Sequence, residues 1–204
     1  EQTRSTDEEA IDDLNFYLYD DKGELLLHRY QQATTLRFEV VPGHYRMRLA
    51  ANLGRDLGEN PSEEDFRISG AESYERLPMA AEEELDVTAA GASPSTVEVR
   101  RCVAKVSYEI NAKDPNIELR SVQLISLPRT AALFDSEAAP SANPADYTDS
   151  SETTLSGTVA SGEYYLFPNL QGTVPSITDQ RQKSPEHAPE HASYLLIRAA
   201  NGSR

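Results

Sequence analysis

The stretch Val41-Pro-Gly-His-Tyr-Arg-Met-Arg-Leu-Ala-Ala-Asn-Leu-Gly54 contains a turn followed by an alternating run. Pro42 and Gly43 favour the turn, because proline presets φ and glycine tolerates positive φ. Apolar residues then alternate with basic ones, Tyr45, Met47 and Leu49 against His44, Arg46 and Arg48. This period of two predicts a half-buried β-strand with one apolar face and one basic face.

The same alternation appears on the N-terminal side of this stretch. Leu14 to Tyr19 alternates, Asp20-Asp-Lys-Gly23 favours a turn, and Glu24 to Tyr30 returns as a second strand of a hairpin. Thr35 to Val41 alternates as well, with Leu36, Phe38 and Val40 on one face. Several short strands with turn residues between them predict an all-β chain, folded as an antiparallel sandwich or barrel.

Strand patterns return in the second half of the chain. Thr96 to Ile110 changes phase near Arg100-Arg101, and Ile117 to Leu127 changes phase between Leu119 and Val122. A bend or bulge at each point would keep the apolar residues on one face, unless the strand is buried on both faces in turn. Leu155 to Val159 and Glu163 to Phe167 predict a hairpin, and Ser193 to Ala199 predicts a last strand.

Residues 52 to 92 break the strand pattern. Asn60-Pro-Ser-Glu-Glu-Asp65 has the N-cap, the early proline and the acids of a helix start. Ser69 to Arg76 would form another turn, so one or two short helices are expected in a connecting loop, mainly between 55 and 77. Glu82-Glu-Glu-Leu-Asp86 is interpreted as a solvated edge. The expected core is Phe16, Leu18, Phe38, Val40, Tyr45, Met47, Leu49, Cys102, Ala104, Val106 and Leu124.

Composition excludes several classes of function. The 204 residues carry a net charge of −15, which repels phosphate backbones, so nucleic acid is not an expected partner. The single cysteine, Cys102, allows no internal disulfide and is expected in the core. No apolar run is long enough to predict a transmembrane segment.

Motifs that carry chemistry are absent. The chain has no glycine-rich phosphate loop, no HExxH and no GxSxG, and we predict no catalytic residue, no cofactor and no enzyme activity. The best metal candidate is Glu186-His187-Ala-Pro-Glu190-His191, but Pro189 prevents the helix that would align its ligands, so no metal site is predicted. Three further candidates are interpreted as structural. His44, Arg46 and Arg48 could form a basic binding stripe, and the turn at 20–23 could bind calcium. Tyr164, Tyr165 and Phe167 could form a surface for stacking a sugar.

Several words of the sequence resemble the fimbrillin family, the subunits of type V pili on Bacteroidales cells. Pro42-Gly-His-Tyr45 through Ala51-Asn-Leu-Gly54 is similar to the family's Pro-Gly-x-Tyr strand that ends in Ala-Asn. Val103-Ala-Lys-Val106 resembles its Ala-Lys-Val strand. Tyr165-Leu-Phe-Pro-Asn-Leu-Gln-Gly172 and Ala192-Ser-Tyr-Leu-Leu-Ile197 resemble its Glu-Asn-x-Gln-Gly and Ala-Thr-Tyr-Ile words, with Pro168 in place of the acid. Ile11 to Leu25 resembles its opening strand, turn and strand.

The resemblance implies a transthyretin-like Greek-key β-sandwich, followed by a second β-sandwich. On that basis we expect a flexible tail at 1–10, an N-terminal domain at 11–180, and at 181–204 a linker with the first strand of a second, apparently truncated domain. It also implies a fimbrium at the cell surface or outer membrane, with membrane attachment only through a lipid on a precursor leader that this sequence lacks. Arg4 is the only early candidate for the arginine-specific maturation that the family implies.

The leading hypothesis is a structural or adhesive subunit of a type V pilus, assembled by donor-strand exchange. Its expected partners are other fimbrial subunits, joined by strand addition, together with host or bacterial surface ligands. The alternative is a surface lipoprotein module that binds polysaccharide. For the strand at Ser193, the sequence leaves open a partner inside the domain, in a further domain or in another subunit.

Overall fold

The computed structural model describes residues 9–71, 76–90, 96–135 and 139–201. Most of the tail predicted at 1–10, including Arg4, lies outside these residues, as does part of the helix turn predicted at 69–76. The chain divides into two compact units: unit 1 comprises Glu1–Val103 with Ala131–Ser136, and unit 2 comprises Ala104–Thr130 with Glu137–Arg204. Among the described residues, no helix has the length and apolarity needed to cross a membrane.

Unit 1 is built on one antiparallel sheet of five strands, in the order β2-β1-β3-β5-β6. Their bounds are β1 Leu14–Tyr19, β2 Leu25–Gln31, β3 Gly43–Ala51, β5 Met79–Val87 and β6 Arg100–Arg101. A smaller pair joins β4 (Arg67–Ser69) to β10 (Thr130–Ala132). The hairpin of β1 and β2 and the strand β3 are confirmed from the sequence prediction.

The segment 32–42 connects β2 to β3 and is not a strand. Because β1 lies between these two strands in the sheet, the connection has to cross β1. Leu36, Phe38 and Val40 pack against the apolar cluster of the sheet, and the Phe38 ring lies 5.2 Å from that of Phe16. The strand predicted over Thr35 to Val41 is therefore wrong. Its alternation arises from packing on a sheet face, which also needs apolar side chains at every second residue.

The acidic run at 82–86 is part of strand β5, and its four acidic side chains are exposed, in agreement with the predicted solvated edge. Strand β5 pairs with β3 over its whole length, so that Glu82 lies opposite Arg48 and Asp86 opposite His44. Opposite charges at facing positions stabilise a strand pair. The acids of β5 thus match the basic residues of β3.

The helix predicted between 55 and 77 does not form among the described residues. Ser62 and Asp65 exchange hydrogen bonds like those of a helix cap, and these bonds lower the pKa of Asp65. The chain then turns directly into β4, because Phe66 and Ile68 are buried and β4 pairs with β10. Short 3-10 helices occur instead in loops of unit 2, at Pro144–Asp146, Gln180–Gln182 and Pro185–His187.

Unit 2 contains three small antiparallel sheets, in the orders β12-β8-β14, β13-β7 and β11-β9. Their bounds are β7 Ala104–Asn111, β8 Ile117–Ile125, β9 Leu127–Pro128, β11 Tyr147–Thr148, β12 Thr153–Thr154, β13 Val159–Leu166 and β14 Tyr194–Asn201. The predicted last strand is thus β14, and it pairs with β8 inside unit 2. The chain first passes from unit 1 to unit 2 after Val103. The domain division predicted at 11–180 and 181–204 stays a prediction.

Three details of the strands correct or refine the sequence prediction. Residues 155–167 form no hairpin, because β13 runs through Ala160-Ser-Gly162 without turning and pairs with β7. The phase change between Leu119 and Val122 is a bulge, since Ser121 lies opposite Arg198 while Leu119 lies opposite Ala199. The phase change near Arg100 is a break at Cys102-Val103 between strands of different sheets.

Most of the predicted core is buried, namely Phe16, Leu18, Tyr45, Met47, Leu49, Cys102 and Leu124. Phe38, Val40 and Val106 are only half-buried. Ala104 is exposed, so its predicted burial is wrong, and Val103 is buried in its place. The reason is that the chain bends at Cys102-Val103, which moves the apolar position by one residue before β7 begins. The predicted all-β sandwich class is confirmed.

Candidate functional site

The histidines of the candidate metal motif are engaged elsewhere. His187 lies within hydrogen-bond distance of Ser184, 3.0 Å between Nδ1 and Oγ. The His191 ring stacks on Tyr147 with its centre 4.7 Å away. Among the described residues, no group of three or more His, Cys, Asp or Glu side chains is arranged to hold a metal ion.

The basic stripe of β3 is paired with acids. Arg48 donates to Glu82 at 2.8 Å and to Glu63 at 3.2 Å, and Arg46 lies 3.8 Å from Glu82. His44 contacts Asp86. Burial by itself would lower the pKa of Arg48, but the hydrogen bonds to Glu63 and Glu82 raise it above the usual value. The stripe is therefore a charge-paired sheet face and offers little free positive charge to a ligand.

Two other candidates are also structural. Tyr164, Tyr165 and Phe167 are each at most 7% exposed, so they present no flat surface on which a sugar could stack. The carboxylate of Asp20 accepts the backbone N–H groups of Lys22 and Glu24, which closes the turn rather than leaving ligands for calcium. Cys102 is buried, and desolvation raises the pKa of its thiol to about 12.

In the Ala51-Asn52 motif of unit 1, the side chain of Asn52 anchors a loop. Asn52 has a φ of 62°, and its side chain accepts from the N–H of Asp12 and donates to the carbonyls of Ala10 and Leu77. The carboxylate of Asp13 accepts from the N–H groups of the next two residues, 53 and 54. These bonds fix the chain after β3 against the start of β1.

The Asn169-Leu-Gln171 motif of unit 2 also anchors a loop. The amide of Asn169 donates to the carbonyl of His191 at 2.8 Å and to the hydroxyl of Ser193 at 2.8 Å. Gln171 donates to the hydroxyl of Tyr147 at 2.7 Å and to Asn169 at 2.9 Å. This network ties the two ends of the loop 170–191 together at the start of β14. Both of these motifs, which resemble motifs of the fimbrillin family, thus hold strands and loops in place.

Strands β7 and β14 of unit 2 each form the edge of a small sheet. Residues 155–158 connect β12 to β13, so the sheets β12-β8-β14 and β13-β7 are joined by the chain along one side. Both sheets contribute to one apolar cluster, against which Tyr108 of β7 and Leu195 of β14 pack. Among the described residues, the far edges of β7 and β14 have no strand partner.

The inner face of β14 is incompletely covered. Leu195 lies opposite Leu124 and packs on the cluster, and Ile197, two residues on, lies opposite the fully buried Val122. Residues two apart in a strand share a face, so Ile197 also points to the inner side. Its side chain is nevertheless 43% exposed. An apolar strand edge with an uncovered inner side chain is suited to take another strand.

Sequence reasoning found β14 but not its partner or its open edge. The unbroken apolar run Tyr194-Leu-Leu-Ile197 was the available signal, because strands of this composition are seldom left on an edge. It interpreted the acids of β5 as a solvated edge, but it did not predict the pairing of this segment with β3.

Comparison with known proteins supports the fold. A family model described as a domain of unknown function (DUF4906) matches residues 164–204. No curated protein sequence matches the chain. A candidate cell adhesion protein from Parabacteroides distasonis ATCC 8503 is similar in structure, with a TM-score of 0.62 and 15% identity over 98% of this chain and 75% of that one.

Two further solved structures are similar over 95% of this chain. A candidate adhesin from Bacteroides thetaiotaomicron VPI-5482 has a TM-score of 0.53 at 12% identity, with 70% of that chain covered. A candidate adhesin from Bacteroides ovatus ATCC 8483 has a TM-score of 0.52 at 14% identity, with 73% covered. At these identities, the likeness establishes the fold.

Proposed function

We propose that this chain is a structural or adhesive subunit of a cell-surface fimbria of the type V pilus kind, and that subunits join by strand addition. Its place is in a fimbrium at the outer membrane. Its partners are other fimbrial subunits, with host or bacterial surface ligands as targets of adhesion. In this proposal the protein is not an enzyme and uses no metal or cofactor.

The free edge of β14 carries the proposal. From Tyr194 to Ala200 its backbone has a strand partner on one side only within the described part of the chain, and this stretch has one charged residue, Arg198. An added strand would form a second ladder of backbone hydrogen bonds, and its alternate side chains would cover Ile197. In this proposal the backbone ladder provides the affinity, and the contact with Ile197 helps to set the register.

Two independent likenesses support the same function. The names of the three similar structures place those proteins in adhesion. The words that resemble fimbrillins include Ala192-Ser-Tyr-Leu-Leu-Ile197, which contains the first half of β14. The similar structures and the resembling words thus point to one class of surface protein.

Substitution on β14 tests the proposal, with Ile197→Lys as the variant and Leu196→Lys as its matched control. Leu196 lies opposite Gln123, on the other face of the strand. A lysine at 197 would have to be buried beneath the added strand, whereas one at 196 would stay in water. Ile197→Lys should lower the subunit recovered in purified surface fibres by about tenfold or more, which corresponds to about 1.4 kcal/mol. Leu196→Lys should stay near the parent level, with both variants melting close to it.

Other outcomes would reject the proposal. If Ile197→Lys enters fibres as well as the parent protein, strand addition at β14 is wrong. If only monomer is recovered, and deletion of the gene leaves fibre number, length and adhesion unchanged, the fimbrial function itself is wrong. Binding on a glycan array in that case would favour a polysaccharide-binding surface module.

A further inference from the structure

Strand β5 forms a heavily charged edge of unit 1 that, among the described residues, is paired only at its start. Strand β5 pairs with β3 over nine residues, yet on its other side it pairs with β6 only at Met79 and Ala80. From Ala81 to Val87 that second side has no strand partner in the described part of the chain. Residues 96–99 pack Val97 and Val99 on the apolar cluster but form no strand alongside β5.

Glu83 stands on the apolar face of this edge strand. It lies opposite Met47, which is 6% exposed, and between Ala81 and Leu85, which pack on the core cluster. Its neighbours in the chain, Glu82 and Glu84, point to the other face. Glu83 itself is exposed and makes no ion pair with any described residue. It is thus a carboxylate at a position where the pattern of the sheet calls for an apolar side chain.

A charge at such a position affects what can pair with the edge. A strand added to β5 would cover the apolar face and bury the carboxylate of Glu83, and an ionised carboxylate is costly to bury without a counter-charge. Natural sheets use inward-pointing charges on edge strands to prevent pairing with other chains. The edge of β14 differs, because its inner-face residues Leu195 and Ile197 are apolar.

We propose that Glu83 excludes uncharged strands from the β5 edge, above all the strands of a second copy of this chain. Pairing between copies through the β5 edge is thereby blocked, and of the edges of β5 and β14 the latter remains open to a partner. The inference goes beyond the fimbrial function and does not depend on it, since it concerns the purified protein alone.

The test compares three variants of the full chain by light scattering across a series of protein concentrations. Glu83→Val removes the charge from the apolar face, and we expect the weight-average mass to at least double relative to the parent as copies pair through β5. Glu84→Val removes the same charge from the adjacent, outward position, and we expect the parent mass. Glu83→Lys keeps a charge on the apolar face, and we expect the parent mass again.

Thermal melting of each variant confirms that it is folded before the masses are compared. A parent-like mass for folded Glu83→Val would overturn the proposal. So would equal association of Glu84→Val, which would show that total charge, and not the position of Glu83, limits self-association. The Ile197→Lys variant changes unit 2, whereas the present variants change unit 1. If the fibre experiment rejected the proposed function, the light-scattering results would still stand.

Discussion

In unit 1, the guanidinium of Arg48 lies 4.9 Å from the centre of the Phe134 ring. The same guanidinium lies 5.3 Å from the ring of Phe66 and donates to Glu63 and Glu82. Its side chain is 13% exposed. One side chain of β3 therefore holds the loop around Glu63 and Phe66 and the returning segment 131–135 on the outer face of the sheet.

We predict that Arg48→Ala lowers the free energy of unfolding by about 2 kcal/mol, because it removes charge-assisted hydrogen bonds and ring contacts that are partly shielded from water. Arg46→Ala is the matched control, since Arg46 is 37% exposed and also contacts Glu82 and the Tyr19 ring. Its cost should stay below about 1 kcal/mol. Urea unfolding measures both, and equal costs would contradict the shielding argument.

A second prediction concerns the loop anchor at Asn52. Asn52→Gly keeps the positive φ but leaves the hydrogen-bonding groups of Ala10, Asp12 and Leu77 without this partner, so it should cost about 2 kcal/mol. Asn52→Ala should cost about 1 kcal/mol more, because alanine is strained at a φ of 62°. Denaturant melts of the pair separate the two contributions. An alanine variant as stable as the glycine variant would show that backbone strain is unimportant here.

A third prediction follows from Gly162 in the middle of β13. Tyr108 lies opposite it, and a Cβ added at 162 would come within 2.5 Å of the Tyr108 hydroxyl oxygen. Gly162→Ala should therefore lower stability by about 1–3 kcal/mol. In a Tyr108→Ala background the same change should cost less than about 1 kcal/mol, because the clash is gone. A double-mutant cycle with no coupling would show that the tyrosine ring does not constrain this site.

A fourth prediction concerns alkaline pH. Burial raises the pKa of Cys102 to about 12, so the folded protein keeps the thiol neutral while the unfolded chain loses the proton near its usual value of 9.0. This contribution to stability is complete below pH 9 and is lost as the pH rises toward 12. Between pH 9 and pH 11, the loss should approach about 1.4 kcal/mol for each pH unit.

Urea midpoints of the parent and of Cys102→Ala across this range measure the effect, and the variant should show a shallower fall. The parent thiol should also resist labelling in the folded state at pH 8, and react once the protein is unfolded. Rapid labelling without unfolding would contradict the burial of Cys102.

Local patterns were informative wherever a strand pairs with its neighbour in the chain. The hairpin of β1 and β2 and the strand β3 were predicted because their alternation, their turn residues and their pairing are all close in sequence. The same reasoning gave a false strand at Thr35 to Val41 and a false hairpin around Gly162. In both places the apolar residues do alternate. However, segment 35–41 packs on the face of a sheet, and residues 160–162 lie inside strand β13.

Local residue order determined the all-β class, the position of the turns and most of the apolar face of unit 1, since side chains two residues apart share a face of any strand. The tertiary structure decided which strands became neighbours. It placed the acids of β5 opposite the basic residues of β3 and set β14 beside β8, so that Glu83 and Ile197 lie on strand edges for which the described residues supply no second strand. Strand order depends on contacts between residues distant in the chain, and alternation within one segment carries no information about the strand that will lie next to it.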